Sequence, residues 1–122
     1  MKKISKLDEY LFDLNGYLII NNALNKKELK DLNNILDKLK NIKNDEWAGY
    51  VHGHNYGGKE GLNLQQIYEA GKPFEKLIDH PSWINHMLHF VGGKGTFDHL
   101  HGPLFIDENF ANIRGPGEAI GI

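Results

Sequence analysis

The chain has 122 residues, with apolar residues at 40%, charged residues at 25% and a formal net charge of -2. That is the make-up of one globular domain or part of one, and 14 Lys and Arg against 16 Asp and Glu form no basic footprint for nucleic acid. Cysteine is absent, which excludes disulfides and thiolate sites, and Arg114 is the single arginine, too few for clamping several phosphates.

The N-terminus carries Lys2, Lys3 and Lys6, but Asp8 and Glu9 follow where a signal peptide would have its apolar stretch. No apolar run approaches the ~20 residues that span a bilayer, so the expectation is a cytoplasmic protein with neither membrane nor nucleic-acid partners. Seven histidines are the one compositional oddity.

In chain order, Leu7, Tyr10, Leu11 and Leu14 recur at helical spacing, and Asn15-Gly16 ends that helix. Tyr17-Leu18-Ile19-Ile20 reads as a short strand buried on both faces. Asn25 with Glu28 three residues on is a capping-box pattern. Behind it Leu29, Leu32, Ile35, Leu36 and Leu39 make the apolar stripe of a helix of about four turns. The stripe is too short for a coiled coil.

Residues 41–61 are polar, Gly-rich and aperiodic, and read as a long functional loop holding Trp47, Tyr50, His52, His54 and Tyr56. Residues 62–68 suit strand or helix, and Lys72-Pro73 opens a helical turn. Trp83, Ile84, Met87, Leu88 and Val91 form a further amphipathic helix, stopped by Gly92-Gly93. From Thr96 the pattern is strand, turn at Gly102-Pro103, strand through Leu104-Phe105-Ile106, strand over residues 110–114, and a turn at Gly115-Pro116-Gly117.

Two His-x-His pairs, His52/His54 and His99/His101, carry the most pointed chemistry, because on a strand both imidazoles of such a pair share a face and can hold a divalent metal. The same pairs serve equally as polar caps of strand ends, and in a Gly-flanked loop His52/His54 would have no fixed geometry. His86 and His89 are spaced for one helix face, where surface positions are the ordinary reading. No P-loop, dinucleotide fingerprint or Gly-x-Ser-x-Gly elbow is present. Asp107 and Glu108 are adjacent and would point apart on a strand.

Several stretches together resemble the phytanoyl-CoA dioxygenase family. They are Phe12 with Gly16-Tyr17-Leu18-Ile19-Ile20, the helix with Leu29, Leu32 and Asn33, the run from Phe74 through His80-Pro81 to the Trp83–Val91 helix and Gly92, then Asp98-His99, and finally Arg114-Gly115-Pro116-Gly117. The resemblance implies an α+β fold with N-terminal helices packed on a double-stranded β-helix (jelly-roll, cupin-like) core. It also implies Fe(II) and 2-oxoglutarate as cofactors and hydroxylation of a C–H bond in a small organic substrate. In that family two His and one carboxylate hold the iron, the first two ligands as His-x-Asp or His-x-Glu. None of the seven histidines here is followed two residues on by Asp or Glu. No residue matches the second ligating His or the basic partner of 2-oxoglutarate.

A jelly roll takes about eight strands of ~5–6 residues, and residues 96–122 suffice for about three. The expectation is therefore a single partial domain over 1–122, its helical and strand portion at 1–95 and the start of its β core at 96–122, with the triad beyond Ile122. On this reading the chain by itself is inactive and holds no iron ligand. His99 contacts cosubstrate or substrate, and the loop at residues 47–56 is a substrate lid. Two alternatives stand beside it. One is a small His-rich metal-binding module using His99 and His101 with His52 or His54, and the other is a non-catalytic interaction fragment with an open sheet edge.

Overall fold

The structure, a computed structural model, describes residues 3–54, 61–92 and 102–117. The chain forms two compact units, one from Met1–Asn25 with Asp79–Ile106, the other from Lys26–Ile78 with Asp107–Ile122. Helices and an antiparallel sheet are both present, as the α+β expectation has it. No helix among the described residues is long and apolar enough to cross a membrane.

In the second unit, helix α2 (Lys26–Leu39) precedes strands β1 (Trp47–Ala48), β2 (Val51–His54) and β3 (Leu62–Gln65). A 3-10 turn at Ile67–Ala70 and helix α3 (Lys72–Glu75) follow, and β4 (Phe110–Ile113) completes a sheet of order β1-β2-β3-β4, every pair antiparallel. The β1–β2 connection is the two-residue turn Gly49-Tyr50, with Gly49 at φ 62°. Glycine there is what a tight hairpin turn needs to match the twist of its strands.

Side chains alternate across the sheet. Val51, Leu62, Leu64, Ala111 and Ile113 fall on one face, where Val51 and Leu64 are enclosed and Leu32, Ile67 and Phe74 complete the buried apolar set. Each such side chain removed from water contributes about 1.5–3 kcal/mol. Gly53 belongs to this face because nothing larger fits. A Cβ there would stand 2.6 Å from Ile42 Cγ2 and 2.7 Å from the Lys43 carbonyl oxygen.

In the first unit, α1 (Lys6–Asn15) starts at a capping box. Ser5 Oγ accepts from the Asp8 amide at 3.1 Å, and Asp8 Oδ2 accepts from the Ser5 amide at 2.8 Å. Gly16, at φ 74°, closes the helix in the left-handed region and donates to the Phe12 carbonyl at 2.8 Å. Helix α4 (Ile84–Phe90) meets α1 through stacked Phe12 and Phe90 rings with centroids 4.2 Å apart and through His89 Nε2 at 3.0 Å from Glu9 Oε1. Upstream of α4, Ser82 Oγ donates to the Ala23 carbonyl at 2.6 Å.

Three expectations change. Tyr17–Ile20 is not a strand, and Tyr17 and Ile19 are exposed rather than buried. Aromatic and β-branched residues favour a strand only where a partner strand accepts them. Residues 104–106 likewise form no strand. Conversely, the aperiodic stretch at 41–61 contains β1 and β2, so residues 47–54 form a hairpin rather than a lid. It hid because a glycine occupies the inward position that a Val or Ile would ordinarily mark.

Candidate functional site

The face of the sheet opposite the apolar core is built from polar rings and amides. Register places Trp47, His52, Gln65 and Phe110 in one cross-strand row and His54, Asn63 and Asn112 in the next. Directly opposed side chains of an antiparallel pair stand about 4.5–5.5 Å apart at Cβ, close enough to act on one small molecule. No strand of this sheet carries an Asp, Glu, Lys or Arg, so the face is rich in hydrogen-bonding groups without formal charge.

His52 is the best held of these side chains. Its Nε2 lies 3.1 Å from Asp45 Oδ1 and its Nδ1 3.5 Å from Gln65 Oε1, at the outer limit of a hydrogen bond. Its ring packs on Trp47 with centroids 4.6 Å apart. Asp45 reaches His52 from a left-handed backbone position, φ 64°, and its amide donates to the Gly53 carbonyl at 2.7 Å. Aspartate tolerates that conformation better than most residues. The His54 ring centroid is 5.9 Å from that of His52.

Asn63 is buried, and its Nδ2 donates to Asn112 Oδ1 at 2.8 Å. Its own Oδ1 and the buried Nη1 of Arg114, the residue that follows β4, have no hydrogen-bond partner among the described residues. A buried polar atom left so costs about 1–3 kcal/mol.

The sequence-derived candidates divide sharply. His52 and His54 share one strand face, so the pair has the fixed geometry that a loop would have denied it. His99 and His101 lie outside the described residues. The remaining histidines belong to the helical unit. His80 is buried, stacks on Trp83 with centroids 4.4 Å apart and accepts at Nδ1 from the Ser82 amide at 3.2 Å. His86 is buried in α4, and His89 is engaged by Glu9.

Among the described residues no group of three or more His, Asp or Glu is arranged to hold a metal. The residues that sequence reasoning passed over are Asp45, Asn63, Gln65 and Asn112. The signal was there in Asn63-x-Gln65 and Asn112-x-Arg114, which repeat the spacing of His52-x-His54. No protein-family model, curated protein or solved structure matches the chain.

Proposed function

We propose that the chain is the N-terminal portion of an Fe(II)/2-oxoglutarate-dependent dioxygenase of the phytanoyl-CoA dioxygenase type, acting on a small organic substrate. The observation that carries this reading is the ordered set of motifs, from Gly16-Tyr17-Leu18-Ile19-Ile20 through Phe74–Pro81 and Asp98-His99 to Arg114-Gly115-Pro116-Gly117. The antiparallel β1–β4 sheet, apolar on one side and polar on the other, supports a place in a jelly-roll wall whose polar face looks onto substrate.

The residues described do not make an iron site, and the chain lacks the His-x-Asp or His-x-Glu pair. Its part in the reaction is therefore binding and orientation. Iron and 2-oxoglutarate, held elsewhere in the enzyme, would supply the oxidising chemistry. The test uses the longest natural polypeptide that carries this chain, purified without oxygen and supplied with Fe(II). Consumption of 2-oxoglutarate with release of succinate is expected, and the 122-residue chain alone should release none. A folded longer polypeptide that binds no iron and consumes no 2-oxoglutarate overturns the proposal.

A second reading draws on one observation, the common face of His52 and His54 on β2. In that reading His52 or His54 joins His99 and His101 in a metal-binding module. Stoichiometric Zn or Fe in the purified chain, lost in His101→Ala, is its test.

A further inference from the structure

Helix α1 turns its main apolar stripe away from the helix it packs on. Glu9 and Phe12 make the contacts with α4, to His89 and Phe90. On a regular helix Leu7, Tyr10 and Leu14 point about 160° away from that pair. They are 62%, 61% and 64% exposed, and Tyr17 and Ile19 extend the bare apolar surface just past the helix, at 61% and 71%. The stripe does no packing within its own unit, and a contiguous apolar surface of this kind marks an interaction site.

The flank of the stripe carries a second signal. Lys6 and Asp13 are exposed, stand seven positions apart on the same flank, and make no ion pair among the described residues. An interface between two copies related by a twofold axis repeats one patch on both sides. With the helices antiparallel, the axis crosses midway between Leu7 and Leu14. Each Leu7 then faces Leu14 of the second copy, and the two charged flanks meet head to tail, Lys6 on Asp13 at both ends. A parallel pair would set the charged flank against the other one, at Leu11, and would align the two helix dipoles. A membrane surface is the poorer partner. The helix carries three carboxylates, Asp8, Glu9 and Asp13, against one lysine, where an anionic bilayer calls for Lys and Arg.

We infer that α1 is a self-association surface, on which a second copy of the chain docks antiparallel, Leu7 on Leu14 and Lys6 on Asp13. Ten residues of helix bury less than the ~1,200 Å² of a standard interface, so association is weak, with a Kd on the order of 100 µM. In dilute solution the stripe stays in water. The inference is independent of the dioxygenase reading.

Sedimentation equilibrium of the 122-residue chain from about 10 µM to about 1 mM reads it. A monomer–dimer equilibrium is expected. Leu14→Glu, which sets two unpaired carboxylates into the apolar seam, should weaken it at least about tenfold. Lys6→Glu and Asp13→Lys should each weaken it about three- to tenfold. Both changes favour the helix itself, with an anion at its N-terminus and a cation at its C-terminus, so the loss cannot come from fraying. Mixing the two single variants restores opposite charge at both ends of an antiparallel pair, and association should return to within about twofold of the unchanged chain. If circular dichroism shows Leu14→Glu unfolded, Tyr10→Ser is read instead, with the same weakening expected.

A chain that stays monomeric at about 1 mM overturns the inference. So does a dimer that Leu14→Glu leaves intact, or a pair of charge variants that mixing does not rescue. Binding to phosphatidylserine vesicles without self-association also overturns it, and gives the stripe to a membrane.

Discussion

The two units use apolar residues in opposite ways. In the sheet unit, Leu32, Val51, Leu64, Ile67 and Phe74 come from a helix, two strands and the segment after β3, and all are buried. In the helical unit, the residues that make α1 and α4 amphipathic stay largely in solvent. Leu7, Tyr10 and Leu14 on α1 and Met87, Leu88 and Val91 at α4 are exposed, and the buried residues described there are His80 and His86. A sheet face presents its apolar residues to one plane, which a single helix and turn can cover. Two short helices joined at one aromatic stack leave most of their stripes uncovered. Stability should therefore concentrate in the sheet unit.

The most direct way to break this comparison is to truncate matched leucines. Leu64→Ala, at a fully enclosed position, should cost about 2–5 kcal/mol. Leu14→Ala, 64% exposed, should cost no more than about 0.5 kcal/mol. Urea denaturation followed by circular dichroism measures both, and equal losses would erase the distinction.

Next in size is Gly53→Ala. Its Cβ meets the backbone oxygen of Lys43 at 2.7 Å, contact that a side-chain rotation cannot relieve, so a loss of about 1–3 kcal/mol is expected. An unchanged midpoint would mean that residues 42–46 do not lie against β2. In the helical unit, Ser5→Ala removes the cap of α1 and should cost about 1 kcal/mol, read as faster amide exchange over the first turn. Exchange that stays the same would show the capping box to be idle.

A double-mutant cycle on Phe12 and Phe90 should return a coupling of about 0.5–1.5 kcal/mol. Zero coupling would mean that the two helices do not meet through that stack. The smallest effect belongs to Lys27, whose amine is held above its ordinary value of 10.5 by the hydrogen bond it donates to Asp31 and then by that residue's charge. Because the folded pKa is raised, the contribution is complete below the unfolded pKa and fades as pH rises through the folded one. Asp31→Asn should lower the Lys27 titration midpoint in a side-chain NMR titration, and a midpoint that does not move removes the pair.

Much of the candidate site was hidden in the sequence for a definite reason. His52-x-His54 announces itself by residue type, but its setting depends on Gly53, which packs against Ile42 and Lys43 and so removes the alternation that marks a strand. Asn63 and Asn112 lie 49 positions apart, and only pairing of β3 with β4 brings their amides to 2.8 Å. Asp45 reaches His52 through an unusual backbone angle that no pattern of residue types encodes.

The helices were legible because their signals are local. Leucines three and four residues apart, a Ser5-to-Asp8 box and a closing Gly16 act within one or two turns of backbone, and α1, α2 and α4 fall where those signals put them. Composition alone likewise bounded the chemistry by excluding cysteine and leaving one arginine. The tertiary structure decided which extended segments became strands. Tyr17–Ile20 has the composition and no partner, whereas residues 47–54 lack the pattern and pair. A strand is completed by a neighbour distant in sequence, so its residues and the polar face they build take meaning only once the sheet has closed around them.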